Sequence, residues 1–271
     1  MEAVDVIIPV YNHPEALKRT LIGFSGQSDK KFRIIVADDG SNSETESLIN
    51  KFARKKALNV THCCQKDKGF RKARILNKAM KLSHARQVIF TDQDCIPHPR
   101  FITEHRKRFV PNGILVGGYL RLPRNYCEHL TIEKVEAFDY VNQLTTRRRK
   151  TLIWKHLKHI FYVYNPLRTR RPSIAGANFS VCREAFLEIN GFDNNYEGWG
   201  QEDSDLATRL WRARLPFRSF WHLCLTFHQW HPVHKTKKEK RNRTYYKRGN
   251  MPIVCKNGFQ ETPFPSILFE S

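Results

Sequence analysis

Long apolar runs are missing from this 271-residue chain. The strongest, Val6 to Val10, is interrupted by Pro9, far short of the roughly 18 to 20 apolar residues that a membrane-spanning helix needs. No membrane crossing is expected. The opening Met1-Glu2-Ala3-Val4-Asp5 lacks both the basic stretch and the long apolar segment of a secretory leader, so a cytoplasmic chain is expected. Paired cysteines are also lacking. The seven Cys are an odd number, only Cys63 and Cys64 adjoin, and no Cys-x-x-Cys occurs, which argues against a zinc ribbon or dithiol redox centre and for reduced, structural thiols. No repeat of fixed period and no low-complexity tract is present. Acidic residues are few, 26 against 47 Lys and Arg, for a formal charge of +21. That excess calls for an anionic partner: nucleic acid, anionic lipid or a phosphorylated substrate.

What is present reads as a folded domain, with 40% hydrophobic and 12% aromatic residues. The first half alternates apolar runs with amphipathic segments, the pattern of βαβ units in a sheet covered on both faces. Strands are predicted at residues 4–10, 32–37, 57–62 and 87–91. Helices are predicted from Pro14, through Leu48, Ile49 and Phe52, and over 71–83. This assignment places Asn12, Asp38, Asp39, Asp92 and Asp94 beyond the carboxyl ends of strands, where open α/β sheets bind ligands. Asp92 and Asp94, one residue apart, are suited to a hard divalent cation that shares the diphosphate of a nucleotide.

The second half opens with a strand at 114–120 and turns basic. Arg147-Arg148-Arg149-Lys150 and Arg168, Arg170 and Arg171 bracket a helical pattern through Leu152, Ile153, Leu157, Ile160, Phe161 and Tyr164. Two readings stand: a surface helix packed on the core, or contact with anionic lipid. Further on, Gly191-Phe192-Asp193 precedes Gly198-Trp199-Gly200-Gln201-Glu202-Asp203-Ser204-Asp205, and the glycines permit close backbone approach to a flat Trp199 face suited to a sugar. Three carboxylates then start a helix carrying Leu206, Leu210 and Trp211. Helix capping accounts for one of them. His228, ending an apolar run, is a candidate ligand for a transition metal.

Ile8-Pro9-Val10-Tyr11-Asn12, Ala37-Asp38-Asp39-Gly40-Ser41, Lys68-Gly69-Phe70-Arg71 and Phe90-Thr91-Asp92-Gln93-Asp94-Cys95 resemble the successive motifs of family 2 glycosyltransferases. Gly176-Ala177-Asn178-Phe179-Ser180, Gly191-Phe192-Asp193, Gly198 to Asp203 and Phe227-His228-Gln229-Trp230-His231-Pro232 resemble the C-terminal half of galactosyltransferases and chondroitin-polymerase-type enzymes. The likeness runs from about residue 4 to 242. It implies an α/β GT-A fold, a Rossmann-like mixed sheet flanked by helices that binds a nucleotide sugar. In this scheme Pro9, Tyr11, Asn12, Asp38 and Asp39 shape the nucleotide pocket, and Asp92 faces donor sugar or ribose. Asp94, with Asp92 and His228, holds Mn²⁺ or Mg²⁺. Trp199 meets donor and acceptor, Glu202 and Asn178 bind the acceptor, and Asp203 is the catalytic base. Many relatives have Arg-Asn where this chain has Leu76-Asn77, so a phosphate or base contact is expected from Arg71 or Arg74. Galactosyltransferases commonly have Gly at the position of Gln201.

The resemblance divides the chain into a donor-binding half at 1–118, a variable basic segment at 119–172, the acceptor and catalytic half at 173–234, and a basic tail at 235–271. An inverting transfer is expected, from a UDP-linked donor to a hydroxyl of a bacterial surface glycan or lipid-linked precursor. Peripheral attachment to the anionic inner face of the membrane would account for the charge. A nucleic-acid-binding protein and a catalytically silent sugar-binding homologue are the alternatives, and no specific nucleic-acid partner is expected because no such module is recognisable.

Overall fold

The computed structural model describes residues 3–54, 58–165, 173–232 and 237–270. A nine-stranded mixed sheet organises them. The N-terminal part supplies β1 (Val4–Val10), α1 (Pro14–Ser25), β2 (Phe32–Asp38), α2 (Ser43–Arg54), β3 (Val60–Cys64), α3 (Lys72–Leu82), β4 (Gln87–Phe90), β5 (Cys95–Pro97), α4 (Phe101–Lys107) and β6 (Ile114–Arg121). Next come α5 (Arg124–Glu128), α6 (Ile132–Glu136), a 3-10 turn (Asp139–Gln143) and α7 (Thr146–Tyr164). The remainder is β7 (Phe179–Cys182), α8 (Arg183–Glu188), α9 (Glu202–Arg212), β8 (Phe217–His228), α10 (Lys237–Tyr246) and β9 (Ser266–Glu270). The third strand starts later than expected from its pattern, at Val60, and the predicted start at Ala57 lies outside the described residues.

The sheet order is β5-β8-β6-β7-β4-β1-β2-β3-β9. β3, β2, β1 and β4 run parallel, whereas β7 is antiparallel to β4 and β6. Side-chain alternation splits the parallel strands between two cores. Val4, Val6, Ile8 and Val10 meet Leu17, Leu21, Phe24 and Ile49 on one face, while Ile7, Ile35 and Ala37 meet Ile75, Leu76 and Leu206 on the other. Central β1 tolerates Pro9 for a topological reason. Ile7 and Pro9 direct their backbone toward β4, but Thr91 N–H on Ile7 O is the last bond on that side, so the missing N–H of Pro9 breaks no ladder. The gap beyond Thr91 opens on the carboxyl edge of the sheet.

Three elements that position the site were not legible as strands. β8 runs parallel to β6, with its register shifted at Gly117/Gly118, and a Cβ on Gly118 would lie 2.0 Å from Trp221 O. β5 pairs antiparallel with β8, placing Cys95 opposite His228. The segment expected to be a basic tail is built into the domain: β9 pairs antiparallel with β3, and Met251, Cys255 and Thr262 are buried.

Candidate active site

The turn after β1 is laced to the turn after β2. Asn12 and His13 both have positive φ, 55° and 57°, which swings the chain across the sheet edge. Asn12 N–H donates to Ser41 Oγ at 2.9 Å, and Asn12 Oδ1 accepts from Asn42 N–H at 2.9 Å. Asp38 and Asp39 lie at this edge but are buried and engaged. Asp38 Oδ1 accepts from the N–H groups of Gly40 and Ser41, and Oδ2 lies 3.0 Å from His62 Nε2. Burial opposes ionisation of Asp38, yet the bonds to His62 and Ser41 keep its carboxyl below the usual range. Asp39 is bound by Gln65 Nε2 and Arg71 N–H, each at 2.6 Å, and burial raises it. Tyr11 is exposed and donates through its hydroxyl to Asp67, an exposed acid that the sequence reading did not single out.

Deeper in, the end of β4 meets the start of α9. Lys72 Nζ is 2.7 Å from Asp92 Oδ1 and 3.6 Å from Glu202 Oε1. Asp203 is held by two backbone donors, Gly176 N–H on Oδ2 at 2.9 Å and Ser204 N–H on Oδ1 at 2.6 Å. Pro9, Lys72, Leu76, Gly176, Glu202 and Asp203 line one small cavity. Burial and then the neighbouring Asp203 push Glu202 up to about 7, with Lys72 acting against them. Glu202 Oε2 is buried without a hydrogen-bond partner, so the cavity holds an acceptor group ready to take a donor. Lys72 was missed in the sequence because nothing local relates it to Asp92. Arg71 and Arg74 do not join this cluster of acids: the Arg71 guanidinium donates to Lys66 O, and Arg74 flanks Lys78.

Trp199, three residues ahead of Glu202, is half-exposed between Gly198 (φ 82°) and Gly200 (φ 92°). Its loop is pinned by Gly198 N–H on Phe70 O and by Asn242 Nδ2 on Gly198 O and Trp199 O. Gln201 continues with φ 79°, a left-handed conformation that Gly adopts freely and a side chain adopts at a cost.

One expected role changes. Asn178 does not reach the acceptor site. It is buried, its Nδ2 donates to Gly118 O and Cys224 O, and its Oδ1 lies 2.9 Å from His105 Nε2, so its polar atoms tie β6 to β8. Asp205, third of the carboxylates at the helix start, is likewise structural, paired at 2.6 Å with fully buried Arg209, which also donates to Ile189 O and Gly191 O. Asn77 belongs to the same framework, clamping both backbone groups of Phe192.

Beside the cavity, the β5–β8 pairing delivers a second cluster. Asp94 Oδ2 lies 3.2 Å from His231 Nε2 and 3.7 Å from His228 Nε2, and ligand atoms of all three lie within 4.8 Å of one another. One carboxylate and two imidazoles suit Mn²⁺ or a similar divalent ion. His231 is the residue the sequence reading passed over, three positions past the anticipated His228. Its bond to Asp94 pushes it up to about 9, while burial of Asp94 is outweighed by the two imidazoles, which hold that carboxyl low. A bound metal would displace the His231 proton. Asp92 also groups with Asp94 and Cys95, and burial and then the two carboxylates raise the Cys95 thiol well above its ordinary value.

Comparison with known proteins gives the family and the fold. The model for glycosyl transferase family 2 matches residues 5–186, and one described as the N-terminal domain of galactosyltransferase matches residues 155–235. Chondroitin synthase of Escherichia coli is 24% identical over 238 residues, covering 81% of this chain and 34% of the synthase. The validoxylamine A glucosyltransferase of Streptomyces hygroscopicus subsp. jinggangensis is 27% identical over 79% of this chain and 52% of that protein. The chain therefore spans a third to a half of these relatives' length. Among solved structures, the mannosyltransferase PcManGT of Pyrobaculum calidifontis, in complex with GDP-Man and Mn²⁺, superposes with a TM-score of 0.60 at 18% identity, over 92% of this chain and 65% of that one. The sheet with its flanking helices is the GT-A-like fold, and with the family model covering most of the chain, this protein belongs to glycosyl transferase family 2.

Proposed function

We propose that the chain transfers a sugar, with inversion, from a UDP-linked donor to a hydroxyl of a bacterial surface glycan or its lipid-linked precursor. The carrying observation is Asp203, held by two backbone N–H groups in a cavity also lined by Glu202 and by Lys72, whose ammonium reaches Asp92. Each Asp203 oxygen keeps a lone pair beyond its backbone bond, so the carboxylate can take the acceptor proton as the hydroxyl attacks the anomeric carbon. Glu202, with its unpartnered oxygen, orients an acceptor hydroxyl. Tyr11, Asn12 and Arg71 border the nucleotide, and exposed Trp199 supplies a flat face for a sugar. Asp94, His228 and His231 would hold the metal, which when bound offers positive charge to the leaving diphosphate. The GDP-Man and Mn²⁺ in the mannosyltransferase complex support a nucleotide-sugar and metal site in this fold. The test is a thermal-shift titration of UDP with and without Mn²⁺, alongside turnover of UDP-sugars. Saturation at about 100 times Kd stabilises by about 2.7 kcal/mol, which is a rise of several degrees for a chain of this size. No shift with UDP or GDP would overturn the reading, and a shift without turnover would leave the silent sugar-binding homologue.

The same proposal places the protein at an anionic membrane surface, on the cytoplasmic side, where such acceptors are presented. No helix among the described residues is long and apolar enough to cross a membrane. α7 offers another mode of contact. It packs on β8 through Leu152 and His159, while Ile153, Trp154 (68% exposed), Leu157, Phe161 (65%) and Tyr164 (73%) form its outer stripe. Of the two readings of this stripe, core packing is the less favoured: only Leu152 of the predicted set is fully buried. Arg147, Arg149, Lys150, Lys155 and Lys158 flank the stripe, all exposed; Arg168, Arg170, Arg171 and Lys235 lie outside the described residues. Aromatic side chains between cations are what a lipid interface accepts, each cation contributing up to about 1 kcal/mol. Binding to anionic but not neutral vesicles is expected. It should weaken with salt, with Arg147, Arg148 and Arg149→Ser together, and with Trp154→Ala plus Phe161→Ala. Equal partitioning onto both vesicle types, or onto neither, would remove the membrane assignment.

A further inference from the structure

α3 begins with a cation that its own helix disfavours. The first turn contains no acidic residue, and a positive charge there opposes the helix dipole. Lys72 is instead held by two carboxylates distant in sequence, Asp92 from the end of β4 and Glu202 from the first residue of α9, at 2.7 and 3.6 Å, with only 18% of its side chain exposed. Those acids and the adjoining Asp203 would repel one another without the ammonium between them. Gly176 completes the arrangement. A Cβ at this position would fall 2.9 Å from Lys72 Nζ and 3.5 Å from Asp92 Oδ1, while its own N–H donates to Asp203. The missing side chain thus leaves room for the ammonium, and the same residue fixes the base.

We propose that Lys72 is a positioning residue for sugar transfer: its ammonium clamps Asp92, on the donor side, to Glu202 beside Asp203, and so sets the spacing between donor and base. This rests on the glycosyltransferase reading above. The clamp belongs to the reacting end of the site, whereas the nucleotide is bordered by Tyr11, Asn12 and Arg71 on the neighbouring turns. Lys72→Met keeps an unbranched chain and loses the charge. It is expected to bind UDP with Mn²⁺ within about threefold of the parent, while kcat for UDP release from UDP-glucose, UDP-galactose or UDP-N-acetylglucosamine falls at least about 30-fold with little change in KM.

Gly176→Ala tests the geometry with Lys72 still present, because the new methyl group meets the movable end of the lysine and displaces it from Asp92. A loss of kcat in the same direction is expected. In the ligand-free protein, the unfolding-temperature shifts of Lys72→Met, Asp92→Asn and the double variant should be clearly non-additive. That cycle reports the clamp even if the parent turns over no nucleotide sugar, so failure of the proposed function is read separately. Parental kcat in Lys72→Met, loss of UDP binding in step with kcat, or an additive cycle would each overturn the proposal.

Discussion

Asp203→Asn is expected to lower turnover by roughly two orders of magnitude or more while leaving donor affinity within about twofold. The amide retains the shape of the side chain but cannot accept the acceptor proton. Its position explains why the effect should be catalytic. Both carboxylate oxygens accept backbone N–H groups, from Gly176 and Ser204, so the side chain is aimed without help from substrate. Asn can satisfy only one of those donors with its single oxygen, and a stability loss of about 1 kcal/mol should accompany the change. Steady-state kinetics with the fastest UDP-sugar, paired with thermal unfolding, separates the two effects. Should Glu202→Gln prove the more damaging substitution, the assignment of base within the Glu202-Asp203 pair is reversed.

Asp94→Ala is expected to abolish metal-dependent activity in a protein that remains folded. The carboxylate stands at the start of β5, and its side-chain partners are His231, His228 and Cys95 rather than core packing. Removing it also removes the largest of the interactions that raise His231, so the imidazole shifts back toward its ordinary value. His228→Ala and His231→Ala should each raise the Mn²⁺ concentration for half-maximal activity by at least about tenfold. An unchanged Mn²⁺ requirement in either variant would make that histidine structural, and full parental turnover in excess chelator would overturn the metal assignment altogether.

Much of the N-terminal part was legible because its signals are local. Strands buried on both faces give unbroken apolar runs, as Val4–Val10 does, and parallel connectivity sends their carboxyl ends to one edge. Asp38, Asp39, Asp92 and Asp94 could be placed there without any tertiary information. The C-terminal part was harder to read. β8 alternates only over its first six residues and is then continuously buried from Cys224 to Phe227, and β5 has only three residues. Neither stands out by periodicity alone. α7 left two readings open for a different reason: an apolar stripe at helical spacing identifies a face but not the direction in which it points, and here all of it but buried Leu152 and half-buried Ile160 is turned outward.

By itself, then, the sequence determined the α/β class, the strand-end acids and the Glu202-Asp203 pair at a helix start, because each depends on residues a few positions apart. Only the tertiary structure decided which polar residues serve the site. It drew Asp205 into a buried pair with Arg209, Asn178 into the β6–β8 seam and Asn77 into the Phe192 turn, since buried polar groups must find partners wherever packing brings them. It also brought Lys72 to Asp92 and Glu202, and His231 to Asp94. Those contacts follow from sheet order and from the Cys95–His228 register, which pairs segments far apart in the chain and leaves no trace in local spacing.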